Sequence, residues 1–183
     1  SLSHIMVLLV QKIYRSYNRI VCPGMGIPEW FNNQTSGHAL DVEIPPQSCS
    51  SWMGIAFCVV FAQPKEILCA LQKQKETLRN PAAPRKDGFM IQCLSRTNRI
   101  QNNTWYFTWP LVSEHIWIFY LPHQQCLQEQ FRFETYYRFR MNKLKVGFNV
   151  VKKCGARLVY EQDLEELNRT LTQPNTENLE VNI

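Results

Sequence analysis

The chain has 183 residues, 45% of them hydrophobic and 12% aromatic, enough for one domain that buries a core without metal or disulfide staples. Its formal net charge of +5 is unevenly divided: residues 1–160 carry 19 Lys and Arg against 9 Asp and Glu, while residues 161–183 carry one Arg against six acids. The basic side chains are spread along the chain rather than gathered into a patch, which argues against a nucleic-acid binder, and the apolar stretch Ile5–Val10 is far short of the ~20 residues that span a bilayer.

Residues 4–20 place Ile5, Leu8, Leu9, Ile13 and Tyr17 at roughly helical spacing with Lys12, Arg15 and Arg19 off that face, so an amphipathic lead-in over 1–20 is expected to dock on something upstream. The next stretch, PGMGIPEWF at 23–31, begins like a dinucleotide loop. The glycine spacing then breaks, and Pro28 has no N–H to offer a phosphate. The glycines instead permit a tight turn, and Pro28 fixes the approach of Trp30 and Phe31 to a core.

Leu40, Val42 and Ile44 alternate with Asp41 and Glu43, the signature of a half-buried strand. SWMGIAFCVVFA at 51–62 is apolar on both parities, as a strand covered on each face would be; 89–94 and 115–121 read the same way. Between them, 64–88 starts at a proline and carries Ile67, Leu68, Leu71 and Leu78 on one side, predicting a short amphipathic helix across the sandwich and then a basic loop at Arg85 and Lys86. FRFETYYRF at 131–139 puts Phe131, Phe133, Thr135, Tyr137 and Phe139 on one face. Strands are also expected at 144–151 and, after a Lys-Lys-Cys-Gly turn, at 156–160. Seven or eight short strands with turn signals between them predict an all-β, two-sheet sandwich over 21–160. The acidic segment 161–183 reads as a short helix and a tail.

The seven cysteines form no Cys-x-x-Cys pair and follow no signal peptide, so free cysteines in a reduced, intracellular compartment are expected. Sequons at Asn33, Asn102 and Asn168 point the opposite way. His4, His38, His115 and His123 include no pair at metal-binding spacing, and His115 beside Glu114 lacks a nucleophile or metal motif. No catalytic, metal or cofactor site is therefore expected. Trp105, Tyr106, Phe107 and Trp109, preceded by Arg96 and Arg99, suggest a recognition surface of which alternation assigns half to the core. The loops 80–88, 96–106 and 122–130 are the candidate contacts with a partner, through Arg85, Lys86, Arg96, Arg99, Trp105, Tyr106 and His123.

Four stretches, PGMGIPEWFNNQTSGHALDVEIPP, SWMGIAFCVVF, SEHIWIFYLP and VKKCGARLVYEQDLEEL, resemble in order the signatures of the post-leucine-rich-repeat domain of plant TIR-type nucleotide-binding receptors, the C-terminal jelly-roll/Ig-like domain. The resemblance covers about 20–167. It puts Pro23, Gly24, Ile27, Pro28, Trp30 and Phe31 on the family's entry turn, Lys153, Cys154 and Gly155 on its last hairpin, and Val159 and Tyr160 on its closing strand, all as architecture. Met25 and Gly26 stand where the family commonly has Ser and Glu. The resemblance implies a jelly-roll/Ig-like sandwich in a cytoplasmic or nuclear immune receptor that senses a pathogen effector together with the leucine-rich repeats. NAD cleavage would belong to a TIR module outside these residues. Two alternatives stand beside it: a cap or autoinhibitory module on the repeats and the nucleotide-binding module, and a carbohydrate-binding sandwich using exposed aromatics with Glu114 and Glu134.

Overall fold

The computed structural model describes residues 19–46, 48–62, 88–95, 104–107, 113–126, 130–139, 142–145 and 150–172. They form two antiparallel sheets packed as a sandwich. The first orders β1 (Arg19–Pro23), β7 (His115–Pro122), β4 (Trp52–Phe61), β10 (Val151–Tyr160) and β2 (Asn33–Ser36); the second orders β3 (Ala39–Asp41), β8 (Gln130–Phe139), β5 (Gly88–Ser95) and β6 (Thr104–Phe107), with β9 (Asn142–Lys145) also on β8. A 3-10 turn at His123–Gln125 follows β7, and helix α1 (Glu161–Thr172) follows β10. The expected sandwich is therefore present, with one helix among the described residues. The helix and basic loop expected over 64–88 lie outside them except for Gly88, which opens β5.

The period-two side-chain geometry of a strand explains why β4 is apolar throughout. Its Ile55, Phe57, Val59 and Phe61 face the second sheet, where with Trp117, Phe119 and Leu121 of β7 they meet Ile91, Cys93, Phe131 and Phe133. Aromatic rings dominate this interior: Phe57 stacks on Phe119 at 5.0 Å and meets Phe131 edge-on at 4.9 Å, and Trp117 stacks on Phe119 at 4.4 Å. The other parity of β4, Ala56, Cys58 and Val60, joins Ile116, Ile118 and Val159 on the outer face of the first sheet, and Phe31 is buried there with Ile27 and Trp30 against it. The entry turn is thus the cover over that outer face.

Three local readings are corrected. Lys152, Lys153, Cys154 and Gly155 do not form a turn or a hairpin: they lie inside the continuous strand β10, paired to both β4 and β2. A shift in register between Val151 and Lys153 marks a bulge, which accounts for two consecutive lysines both being exposed. Gly155 is there for clearance, since a Cβ would lie 2.9 Å from Ile27 Cγ2 and 3.3 Å from Phe31 Cβ. Second, Arg19 and Ile20 belong to β1 rather than to a helical lead-in; the segment before them is outside the described residues. Third, the strand expected over 144–151 is two: β9 ends at Lys145 and β10 begins at Val151.

Candidate recognition surface

The entry turn is built from its own backbone outward. The Phe31 N–H donates to the Pro28 carbonyl at 3.0 Å, and the Gly24 N–H to the Glu114 carbonyl at 3.1 Å, so the turn is tied to the start of β7. Gln34 Nε2 donates to the Phe31 carbonyl at 2.8 Å. Pro23, exposed at the turn's start, closes β1 opposite His115. These bonds hold Trp30 and Phe31 edge to face, rings 5.0 Å apart and 89° between planes, with Phe31 down on the sheet and Trp30 beside it.

Arg157 then joins three parts of the chain. Its guanidinium lies 4.6 Å above the Trp30 ring, Nη1 donates to the Trp30 carbonyl at 3.2 Å, and Nη2 pairs with Asp163 Oδ1 at 2.8 Å. The second carboxylate oxygen, Asp163 Oδ2, accepts the Tyr160 N–H at 2.8 Å. Tyr160 precedes the first residue of α1, so Asp163 supplies the reach-back half of a capping box, with acidic Glu161 and Asp163 suited to the helix's positive end. Leu164 packs on the same outer-face cluster. The network fixes entry turn, closing strand and helix as one rigid corner.

Beside this corner lies an open groove of about 600 Å³, with Asn33, Glu43, Arg157, Leu158, Asp163 and Glu166 among its lining residues. Asn33 Nδ2 donates to the Asp41 carbonyl at 2.6 Å, so that sequon asparagine is already engaged.

The structure separates the residues expected to touch a partner. His123 is exposed, in the 3-10 turn at the end of β7, its ring 5.9 Å from that of buried Trp52. Trp105 and Tyr106, expected at the end of a loop, lie within β6, where they pair with Ile91 and Met90. Arg85, Lys86, Arg96 and Arg99 lie outside the described residues. Glu114 precedes β7 of the first sheet, whereas Glu134 sits on β8 of the second. The Glu134 carboxylate accepts from Tyr136 Oη at 2.6 Å and from Arg132 Nε at 3.2 Å. Partial burial and that bond to Glu134 push the Tyr136 hydroxyl up to about 12.

The thiols are placed for packing rather than chemistry. Burial pushes Cys126 and Cys154 up to about 12 and drives Cys58 and Cys93 upward as well, against the thiolate that nucleophilic or metal-binding cysteines require. Cys126 Sγ donates to the Pro122 carbonyl at 3.3 Å. Among the described residues all cysteines are free, no His, Cys, Asp and Glu group is arranged to hold a metal, and no helix is long and apolar enough to cross a membrane.

Sequence reasoning missed β1, β2 and the Arg157 corner. Arg157 and Trp30 are 127 positions apart, beyond any local pattern, and Tyr160-x-x-Asp163 lacks the Ser or Thr and the Glu or Gln by which a capping box is recognised in sequence. Residues 22–165 match the family model for the C-JID domain, the C-terminal jelly-roll/Ig-like domain of plant TNL receptors. No curated protein matches the chain.

Proposed function

Because the chain belongs to the C-JID domain family, known as a non-catalytic receptor module that associates with the leucine-rich repeats of plant immune receptors, we propose that it senses a pathogen effector together with those repeats and helps control receptor activation. The observation that carries this reading is the division of labour in the family's signature residues. Phe31, Ile27, Trp30, Cys154, Gly155 and Val159 are spent on burial or clearance, and His123 is exposed in a connection at the end of β7. Recognition then falls to the connections, as on other rigid sandwiches. The contact residues of this reading are Arg85, Lys86, Arg96, Arg99 and His123 in the connections, with Trp105 and Tyr106 on the adjoining strand β6, and the domain body expected over 21–160 also takes in Arg19 and Ile20 of β1, ahead of the acidic tail from 161. On this reading the work is done in the cytoplasm or the nucleus, in keeping with a family from intracellular receptors.

The test is to exchange 80–88, 96–106 and 122–130 in the parent receptor for unrelated sequence. Loss of effector-triggered signalling with unchanged receptor abundance supports sensing; full recognition after all three exchanges refutes it. One observation favours a second reading, a cap or autoinhibitory module on the repeats. Strand β1 is the edge of the first sheet and follows directly on the apolar 4–18 segment, so a docking element there would act straight on the sandwich. Constitutive signalling on deletion of 4–18 would favour that reading.

A further inference from the structure

We propose that the groove beside the Arg157 corner is a binding site for a neutral saccharide. This does not depend on the sensing reading above. Strand β2 pairs with β10 no further than Ala156, and β3 ends at Asp41. Next to those two ends, the buried Val42 and Ala156 and the half-buried Leu158 and Tyr160, all part of the inner core or packed against it, give the groove an apolar side. Its volume of about 600 Å³ is that of a small-molecule site.

Separate parts of the chain bring polar groups to the same place. Asn32 follows Phe31 of the entry turn, Asn33 opens β2, Glu43 follows β3, and Gln162 stands in the first turn of α1; all four line the groove with Tyr160. Asn33 Nδ2 is spent on the Asp41 carbonyl, which leaves its Oδ1 as an acceptor. Among the described residues, the side chains of Asn32, Glu43 and Gln162 and the Tyr160 hydroxyl have no hydrogen-bond or ion-pair partner. The groove therefore offers two amides and a hydroxyl that both donate and accept, with a carboxylate and an amide oxygen that only accept.

Hydroxyl groups suit this mixture, because each is donor and acceptor at once. A sugar ring adds an apolar C–H face for the Leu158 and Tyr160 side, and the polar groups around it fix its orientation. Charge narrows the class further. Arg157, the basic member of the described lining, is already held by the Trp30 carbonyl and Asp163, while the Glu43 carboxylate is uncommitted, so an anionic ligand meets repulsion and no spare cation. The acids expected for a carbohydrate-binding sandwich, Glu114 and Glu134, take no part in this site.

The experiment titrates the isotope-labelled 183-residue chain with neutral disaccharides of glucose, galactose, mannose and N-acetylglucosamine, following backbone amides by NMR. The expected result, for at least one of them, is saturable shifts concentrated at Asn32–Asn33, Glu43 and Leu158–Gln162. Affinity should fall about tenfold in the Asn32→Ala, Gln162→Ala double variant, which removes two exposed side chains that the fold does not use and so keeps the parent melting temperature. A disaccharide with a uronic acid in place of one hexose should bind about tenfold more weakly than its neutral counterpart. Four results each overturn the proposal: no shifts with any of the four sugars at millimolar concentration, shifts elsewhere, undiminished binding by the double variant, or equal binding of the uronic acid form. Equal shifts from a linear diol at the same concentration would show an unselective apolar cleft and overturn the stated ligand.

Discussion

Replacing Phe31 by alanine should be among the most costly single changes to this domain although Phe31 lies outside every strand. The side chain is 1% exposed and seated between Trp30 and the outer face of β4. Truncation removes the ring from the buried cluster it shares with Ala56, Cys58, Val60 and Ile118 and leaves a cavity under a turn held by its own hydrogen bonds, so collapse is restricted. Buried Phe→Ala changes of this kind cost about 3–5 kcal/mol, a large part of the roughly 5–15 kcal/mol that holds a domain folded. Trp30 loses its edge-to-face partner, about 0.5–1.5 kcal/mol beyond area, included in that range. Urea unfolding followed by fluorescence should show the midpoint falling with little change in slope. Phe31→Leu should cost well under half as much, and Met25→Ser, at 76% exposure, under about 0.5 kcal/mol. A Phe31→Ala loss below about 1 kcal/mol would refute the turn's role as cover for the sheet.

The Arg157 corner predicts a double-mutant coupling of about 1 kcal/mol between Arg157→Ala and Asp163→Asn, between the values for exposed and buried pairs because the two side chains are 30% and 16% exposed; additive losses in urea unfolding would contradict the pairing. Gly54→Ala should destabilise more than Gly155→Ala: at Gly54 a Cβ runs into the Leu121 carbonyl and lies 2.6 Å from Tyr120 Oη, whereas at Gly155 the nearest atom is the end of the Ile27 side chain. Equal melting temperatures would show that the β4 corner can yield. In the folded chain, thiol labelling read by mass spectrometry should modify the partly exposed Cys22 and Cys49 well before Cys58, Cys93, Cys126 and Cys154; early labelling of Cys154 would contradict its burial. Stability should also fall at alkaline pH. The raised values of Cys126, Cys154 and Tyr136 mean that the folded state keeps protons the unfolded state releases, so their contribution is intact below about pH 9 and is lost as pH rises toward 12. A urea midpoint unchanged from pH 8 to 11 would refute this.

Strands whose side chains divide between two packed faces were the legible part of this sequence. β4, β5, β7 and β8 carry apolar residues at the spacing that burial requires, and their positions follow from it. β2 was not legible because Asn33-Gln34-Thr35-Ser36 has little strand preference of its own; the free edge of β10 makes it a strand. The same long-range pairing turns Lys152–Gly155 from an apparent turn into strand. In a local window, Gly155 reads as a turn residue, and only Ile27 and Phe31, more than 120 positions away, explain it. Of the candidate site, the entry turn was legible as architecture from Pro28 and the aromatic pair. The groove was not, since it arises where β2 peels away from β10 and α1 begins.

Effector recognition through the connections is the central claim, and cross-linking mass spectrometry on the parent receptor in effector-expressing plant tissue tests it most directly, read with and without the exchange of 80–88, 96–106 and 122–130. The account predicts cross-links from a pathogen protein to those three segments in the unaltered receptor and their loss, with receptor abundance unchanged, in the exchanged one. Cross-links confined to the receptor's own repeats and nucleotide-binding module, or a pathogen protein retained undiminished after exchange, would contradict it.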